Sequence, residues 1–194
     1  VAESASGVEF PKVITFKSPQ TLPLTLLGVG VRTVSFLKMQ VYAVGFYADL
    51  TRHLLGCNIQ GLKTPEEKLE YLIRNKSVAV RIVAVRNTSF HHLRDAYIRT
   101  LNARLGVSKK ENKDSLSAEQ EDVNSLQALK STFPPSSLAK KVPFYMVLPA
   151  PSTTPVARLL SIPTLNGKIE NTWVAEELFR NYFSGDGPSP KVRR

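Results

Sequence analysis

Arg32 lies in the middle of "LLGVGVRTVSF", Leu26 to Phe36, a stretch that is otherwise apolar and carries two glycines. A guanidinium stays charged at any ordinary pH and is costly to bury without a partner. Two readings of it stand side by side. In the first, Arg32 sits on the solvated face of an edge strand or pairs with a carboxylate such as Asp49 or Glu70. In the second, it is a fixed cation in an apolar cleft, suited to hold a carboxylate or to polarise a carbonyl or enolate.

Two further features carry chemistry. His91 and His92 stand at the start of a predicted helix, where the helix dipole disfavours an imidazolium, so both are expected neutral and able to act as acceptors or ligands. Neighbours on a helix point ~100° apart, so at most one of them faces a given pocket; a polar, half-buried helix start is the plainer reading. The other feature is a set of aromatics, Tyr42, Phe90, Tyr97 and Tyr182. Rings at helical spacing are usually core, but a buried phenol needs a hydrogen-bonding partner. The chain has no G-x-S-x-G, no H-E-x-x-H and no dinucleotide fingerprint. "GVGVRT" lacks the Gly-Lys-Ser/Thr ending of a phosphate loop and sits in a strand pattern.

The elements that must position these residues follow from composition and periodicity. The 194 residues are 42% hydrophobic and 22% charged, as in an ordinary soluble globular protein with one domain over 1–194. A single cysteine, Cys57, excludes a disulfide framework and a Cys-rich metal site. The chain starts at Val1, which fits a processed protein whose targeting segment or membrane anchor has been removed. The net charge of +10 is spread along the chain, as in Lys109-Lys110, Lys140-Lys141 and Lys191 to Arg194. No nucleic-acid motif accompanies it, so a basic surface facing anionic lipid or acidic partners is expected rather than nucleic-acid binding.

Val13 to Phe16 reads as a short strand, and "PLTLLGVGVRTVSF" and "LKMQVYAVGFYADL" as two long ones. Glycines 28, 30 and 45 mark bulges or close approaches to the backbone. "TPEEKLEYLIRN" is a helix with Thr64 as N-cap and Pro65 at its first position. Ser77 to Ser89 alternates as a half-buried strand and runs into a helix over "FHHLRDAYIRTLNARLG". That helix buries Phe90, Leu93, Tyr97, Leu101 and Leu105, and Gly106 ends it. "VSKKENKDSLS" is a polar loop, and a further helix starts at Ser117 with Gln120 completing a capping box and Val123, Leu126, Leu129 and Phe133 inside. Two strands follow, the second turning at Asn166-Gly167, and then a helix from Thr172 to Ser184. Strands first, helices later and hairpin signals throughout specify an α+β fold, an antiparallel sheet with helices on one face.

In order along the chain, "LLGVGVRTV", "VYAVGFYAD", "RNTSFHHLRDAYIRTLNARLG" and "NGKIEN" before a helix ending "SGDGPSP" resemble the chalcone isomerase superfamily. "GVGVRTVSFLKMQVYAVGFYAD" with "RNTSFHHLRDAYIRT" is similar to its fungal mitochondrial branch, the "altered inheritance of mitochondria" proteins. The likeness runs from about Glu9 to Pro190 and omits Ser108 to Ser117. It implies an open-faced β-sandwich with a cleft between sheet and helices, and a mitochondrial location.

The resemblance also assigns roles. In the plant isomerases an arginine after Gly-x-Gly-Val stabilises an enolate during ring closure, and in fatty-acid-binding members it holds the lipid carboxylate; Arg32 matches it. The isomerase threonine falls at or beside Tyr42, its tyrosine at Phe90, its asparagine at Tyr97, and its last-helix pair near Asn181 and Tyr182. These substitutions argue for a non-catalytic binder of an apolar ligand with an acidic head. The ligand is a fatty acid lying among Phe36, Phe90 and Leu93, or haem with His92 or, less well matched, His91 as axial ligand. The alternative is a true isomerase, an intramolecular lyase relying on Arg32. Membrane association through a segment preceding Val1 is a further expectation.

Overall fold

The chain runs through β1 (Val13–Ile14), β2 (Leu24–Val34), β3 (Met39–Ala48), α1 (Pro65–Asn75), β4 (Val78–Ala84), β5 (Thr88–Ser89), α2 (Phe90–Glu111), α3 (Leu116–Thr132), β6 (Ser137–Leu138), β7 (Pro143–Leu148), β8 (Leu159–Ile162), β9 (Gly167–Glu170) and α4 (Thr172–Phe183). This computed structural model describes residues 1–16, 23–34, 39–50, 61–111, 116–151 and 158–183. Seven strands form one antiparallel sheet in the order β1-β2-β3-β4-β7-β8-β9, and β5 pairs with β6 apart from it. The α+β architecture expected from the pattern is the one observed.

The period-2 alternation of β3 divides the core in two. Tyr42, Val44, Phe46 and Ala48 point to the helix side, where they join Val78, Val80, Ile82 and Ala84 of β4 and the inner faces of α2, α3 and α4. Ala43 and Tyr47 point to the opposite side with Ala79 and Val83. That second face is not bare. The N-terminal segment lies across its centre, burying Phe10 and Ile14. Tyr47 donates to the Pro11 carbonyl at 3.0 Å, and Phe10 lies so close over Gly45 that a Cβ there would fall 2.6 Å from the ring. Only glycine admits this approach. Strand β4, expected to be half-buried, is therefore covered on both faces except at Arg81.

The β2–β3 pairing positions Arg32. Register partners share a face, so Arg32 opposite Tyr42, Gly30 opposite Val44 and Gly28 opposite Phe46 all look toward the helices. The register steps between Leu26 and Gly28 and again between Arg32 and Thr33, and such bulges re-aim the side chains beside them.

Two helix boundaries differ from expectation. Helix α2 continues through Gly106 to Glu111, so the segment expected as a polar loop is helical at 107–111 and again from Leu116 in α3. A glycine ends a helix by taking the left-handed conformation, and among the described residues only Gly7, Lys141 and Asn166 have positive φ. In the helical conformation Gly106 costs about 1 kcal/mol relative to alanine, which burial of Leu101 and Leu105 in the preceding turns offsets. Helix α1 starts as read, with Thr64 and Glu67 exchanging capping-box hydrogen bonds at 3.1 Å. Helix α4 starts at Thr172 as read and is described to Phe183; the predicted last residue, Ser184, lies outside the described residues.

An ion-pair network fixes α4. Arg180 binds both oxygens of Glu70 on α1, at 2.8 and 2.9 Å, and reaches Glu176 at 2.6 Å and Glu177 at 2.9 Å. Glu177 also takes Arg104 of α2. Arg158, buried at the start of β8, donates to the carbonyls of Ile73, Lys76 and Pro149 and to Glu176. Burial disfavours the Arg180 charge, but the hydrogen bonds it donates to Glu70 and Glu176 outweigh it and hold its pKa above the usual value. The Arg180 hydrogen bond likewise holds Glu70 below its usual 4.5.

Arg180→Ala leaves three carboxylates facing one another. Because the group keeps some water access, the expected loss is about 2 kcal/mol, below the range for a fully buried pair, measured by urea unfolding at pH 7. A depressed carboxylate pKa contributes stability above its unfolded value and loses it as the pH falls through the folded one. Wild-type stability should therefore decline below about pH 4.5, with a shallower decline in the variant. Identical acid limbs would exclude the network as the anchor of α4.

Candidate functional site

On the helix side of the sheet, Arg32 of β2 faces three phenols from three other elements. Tyr42 is its register partner on β3, Tyr97 comes from the inward stripe of α2, and Tyr182 from the last turn of α4. Arg32 is half-buried, while the phenols are 4%, 2% and 1% exposed. The Tyr97 and Tyr182 hydroxyls are 3.4 Å apart, a long hydrogen bond, and Tyr42 lies within electrostatic reach of Tyr182. The Tyr97 and Tyr182 rings are tilted at 5.9 Å between centroids.

Burial dominates the electrostatics of this cluster. It raises the pKa of Tyr42 and pushes Tyr97 and Tyr182 well above the usual 10, although the Arg32 charge opposes the rise at Tyr42 and Tyr97. All three phenols are therefore protonated at neutral pH. The Tyr97–Tyr182 bond uses one of the three hydroxyl protons, so protons remain for donation to a group outside the cluster. Tyr42 and Tyr97 both lie in the field of Arg32. The arrangement thus offers a guanidinium and polarised phenolic donors to an oxyanion, whether a carboxylate or an enolate.

The carboxylates first considered for Arg32 are elsewhere. Glu70 is bound by Arg180 and Arg74. Asp49 lies seven residues beyond Tyr42 along β3, about 23 Å at strand spacing, with its N–H on Ser77. Among the described residues no ion pair involves Arg32.

The remaining sequence-derived positions divide. Phe90 is buried one ring away from the phenols, against Phe133 and Phe144, with Phe133 touching Tyr97. Leu93 is buried on the same stripe, and Asn181 is buried beside Tyr182. Phe36 lies outside the described residues. His92 is exposed, and His91 is half-buried with its charge felt at exposed Asp95 one turn on. The buried stripe of α2 runs through Phe90, Leu93 and Tyr97, so neither imidazole shares the face that carries the phenols. A haem in this cleft with His91 or His92 as axial ligand does not fit that orientation. The Arg180 cluster was missed from sequence; the Glu176-Glu177-x-x-Arg180 spacing on one helix is its signal.

The family model described as chalcone isomerase like matches residues 23–55 and 58–194. Altered inheritance of mitochondria protein 18 of Saccharomyces cerevisiae is 27% identical over 98% of this chain and 68% of its own length. The Debaryomyces hansenii protein of that name is 28% identical over 97% of this chain and 70% of its length. These relatives are mitochondrial by name, and the expected mitochondrial location agrees with them. Among solved structures, a fatty-acid binding protein of Arabidopsis thaliana superposes with TM-score 0.65 at 20% identity, covering 100% of this chain and 93% of that one.

The phenols are open to direct titration. Of six tyrosines, Tyr42, Tyr97 and Tyr182 are raised, and burial lifts Tyr47 to about 12. Ultraviolet titration should find at least four phenols un-ionised at pH 10.5 in the folded protein. A raised tyrosine pKa leaves stability intact below the unfolded value near 10 and erodes it above. These phenols should therefore ionise only with unfolding, and Tyr182→Phe should remove one of them from that step. Six phenols titrating together near 10 would contradict the closed cluster.

Proposed function

The chain belongs to the chalcone isomerase-like family, and from that premise we propose that it binds, without turning over, an apolar ligand with a carboxylate head, a fatty acid. The observation that carries this reading is the half-buried guanidinium of Arg32, unpaired with any carboxylate among the described residues, beside three neutral phenols. A carboxylate accepts from both donor types at once, and charge-assisted bonds of this kind are the strong ones. The apolar tail would run along the inner face of α2 past Leu93 and Phe90. The likeness in fold to a plant protein named as a fatty-acid binding protein is consistent with this reading.

An isomerase would also use a guanidinium and phenols, to stabilise an enolate. The phenols here are buried and clustered together, however, and Tyr42, Phe90 and Tyr97 stand where the resemblance puts the isomerase threonine, tyrosine and asparagine. Positioning a chalcone in place of a flexible tail would need the space those rings fill.

Oleate titration and native mass spectrometry test the proposal together. Wild-type protein should retain a fatty acid, and Arg32→Ala should weaken oleate binding by about ten- to a hundredfold, the loss of a charged hydrogen bond. Its melting temperature should change little, because Arg32 holds no ion pair among the described residues. Chalcone cyclisation above background that Arg32→Ala abolishes would replace binding by catalysis. A Soret band in the purified protein would replace the fatty acid by haem.

A further inference from the structure

The sheet carries a second arginine without a counter-charge, on the face away from the helices. Arg81 is the one residue of β4 that is not fully buried. It is held rigidly: Nε donates to the Tyr145 hydroxyl at 3.1 Å and Nη1 to the Glu9 carbonyl at 3.0 Å. Its guanidinium stacks over Phe10 at 5.0 Å and lies 6.0 Å from the Tyr145 ring. Every one of these contacts orients the cation and none neutralises it. Among the described residues no carboxylate comes within ion-pair distance of it.

Arg81 lines a cleft of about 430 Å³ between the N-terminal segment and the sheet, together with Val8, Glu9, Val85, Lys140 and Lys141. Lys140 and Val85 also line an adjoining hollow that adds Arg86. The turn that presents the two lysines is pinned to the end of β4: Lys140 N–H donates to the Asn87 side chain and Lys141 N–H to the Ala84 carbonyl. Lys141 has φ +67°, a conformation that favours glycine and strains any other residue. Strain retained at a residue that brings a charge into a cleft is a sign of use.

We propose that this outer cleft binds a phosphate monoester. Arg81, Lys140 and Lys141 set three positive charges against the single carboxylate of Glu9, leaving two to meet the near-dianion of a monoester at neutral pH. The guanidinium is pre-oriented and the ammonium groups are point charges, a pairing suited to phosphate oxygens. The cleft is much larger than a phosphate and falls in the size range of small-molecule sites, about 300–1,000 Å³. Val8, Val83 and Val85 line the part that the organic body of the ester would occupy. The site is independent of the Arg32 site, which lies across the sheet.

Calorimetric titration at constant ionic strength with glycerol 3-phosphate tests it. A parallel arm uses flotation with phosphatidylcholine vesicles with and without phosphatidic acid. Binding of glycerol 3-phosphate assigns a soluble ester; binding only to vesicles containing phosphatidic acid assigns a lipid-borne one. Lys141→Gly removes an ammonium and relieves the backbone, so it should weaken binding at least fivefold while raising the melting temperature. A structural lysine would not show that opposition. Oleate retention should be unchanged in the same variant. No binding in either arm, or affinity unaltered by Lys141→Gly and Lys140→Ala, overturns the proposal.

Discussion

Arg180 is the constraint on which the helix layer depends. One guanidinium lies against the carboxylates of Glu70, Glu176 and Glu177, and Glu177 is shared with Arg104. These bonds join α1, α2 and α4 at one point. Arg158 extends the set to the start of β8 and to the carbonyls near the end of α1, where a cation suits the helix dipole. Tyr182 stands two residues beyond Arg180 on α4. Its hydroxyl meets that of Tyr97 only because the helix is locked in rotation and height. A charged network thus positions a neutral one.

The arginines of this fold fall into two kinds. Arg104, Arg158 and Arg180 are matched by carboxylates. Arg81 is instead oriented by aromatic and carbonyl groups, and Arg32, on the opposite face of the same sheet, lies beside Tyr42 and Tyr97. Burying a charge unmatched is costly, and the chain demonstrably places carboxylates against cations where structure needs it. Among the described residues neither of these two cations has a carboxylate partner, which supports the proposal of an external anion at each. The phenols around Arg32 strengthen this view, since burial keeps them protonated and they offer donors rather than a competing negative charge.

Much of this was legible in the sequence because its causes are local. Alternation in β3, the Thr64 capping box and the stripe from Phe90 to Leu105 each depend on neighbours a few residues apart. Residue chemistry alone singled out Arg32 and the tyrosines, and the family likeness gave Arg32 a role and aligned Tyr42, Tyr97 and Tyr182 with isomerase positions. Other features escaped because they depend on distant partners. The extent of α2 past Gly106 was set by tertiary packing against propensity, and the covering of the second face depends on Phe10 meeting Gly45. The exposure of His92 followed from helix phase: the buried stripe at Phe90, Leu93 and Tyr97 fixes which way each neighbour points. Adjacent histidines had already implied that one of them must face away.

The proposal of binding rather than catalysis at Arg32 rests on what surrounds the cation. Ring closure requires an oxyanion stabiliser and a substrate held in reactive geometry. The first is present; the second needs small polar contacts and open volume. Tyr42 and Tyr97 stand instead where the likeness expects a threonine and an asparagine, and the Tyr97 hydroxyl is bonded to Tyr182. Hydrogen-bonded phenols are cooperative, each donor strengthening the next, and the protons not used within the cluster remain for whatever anion meets Arg32. That favours a ligand whose charge is permanent, a carboxylate, over one whose charge exists only in a transition state. A permanent charge keeps these donors in one orientation for as long as the ligand stays bound, which is what retention requires.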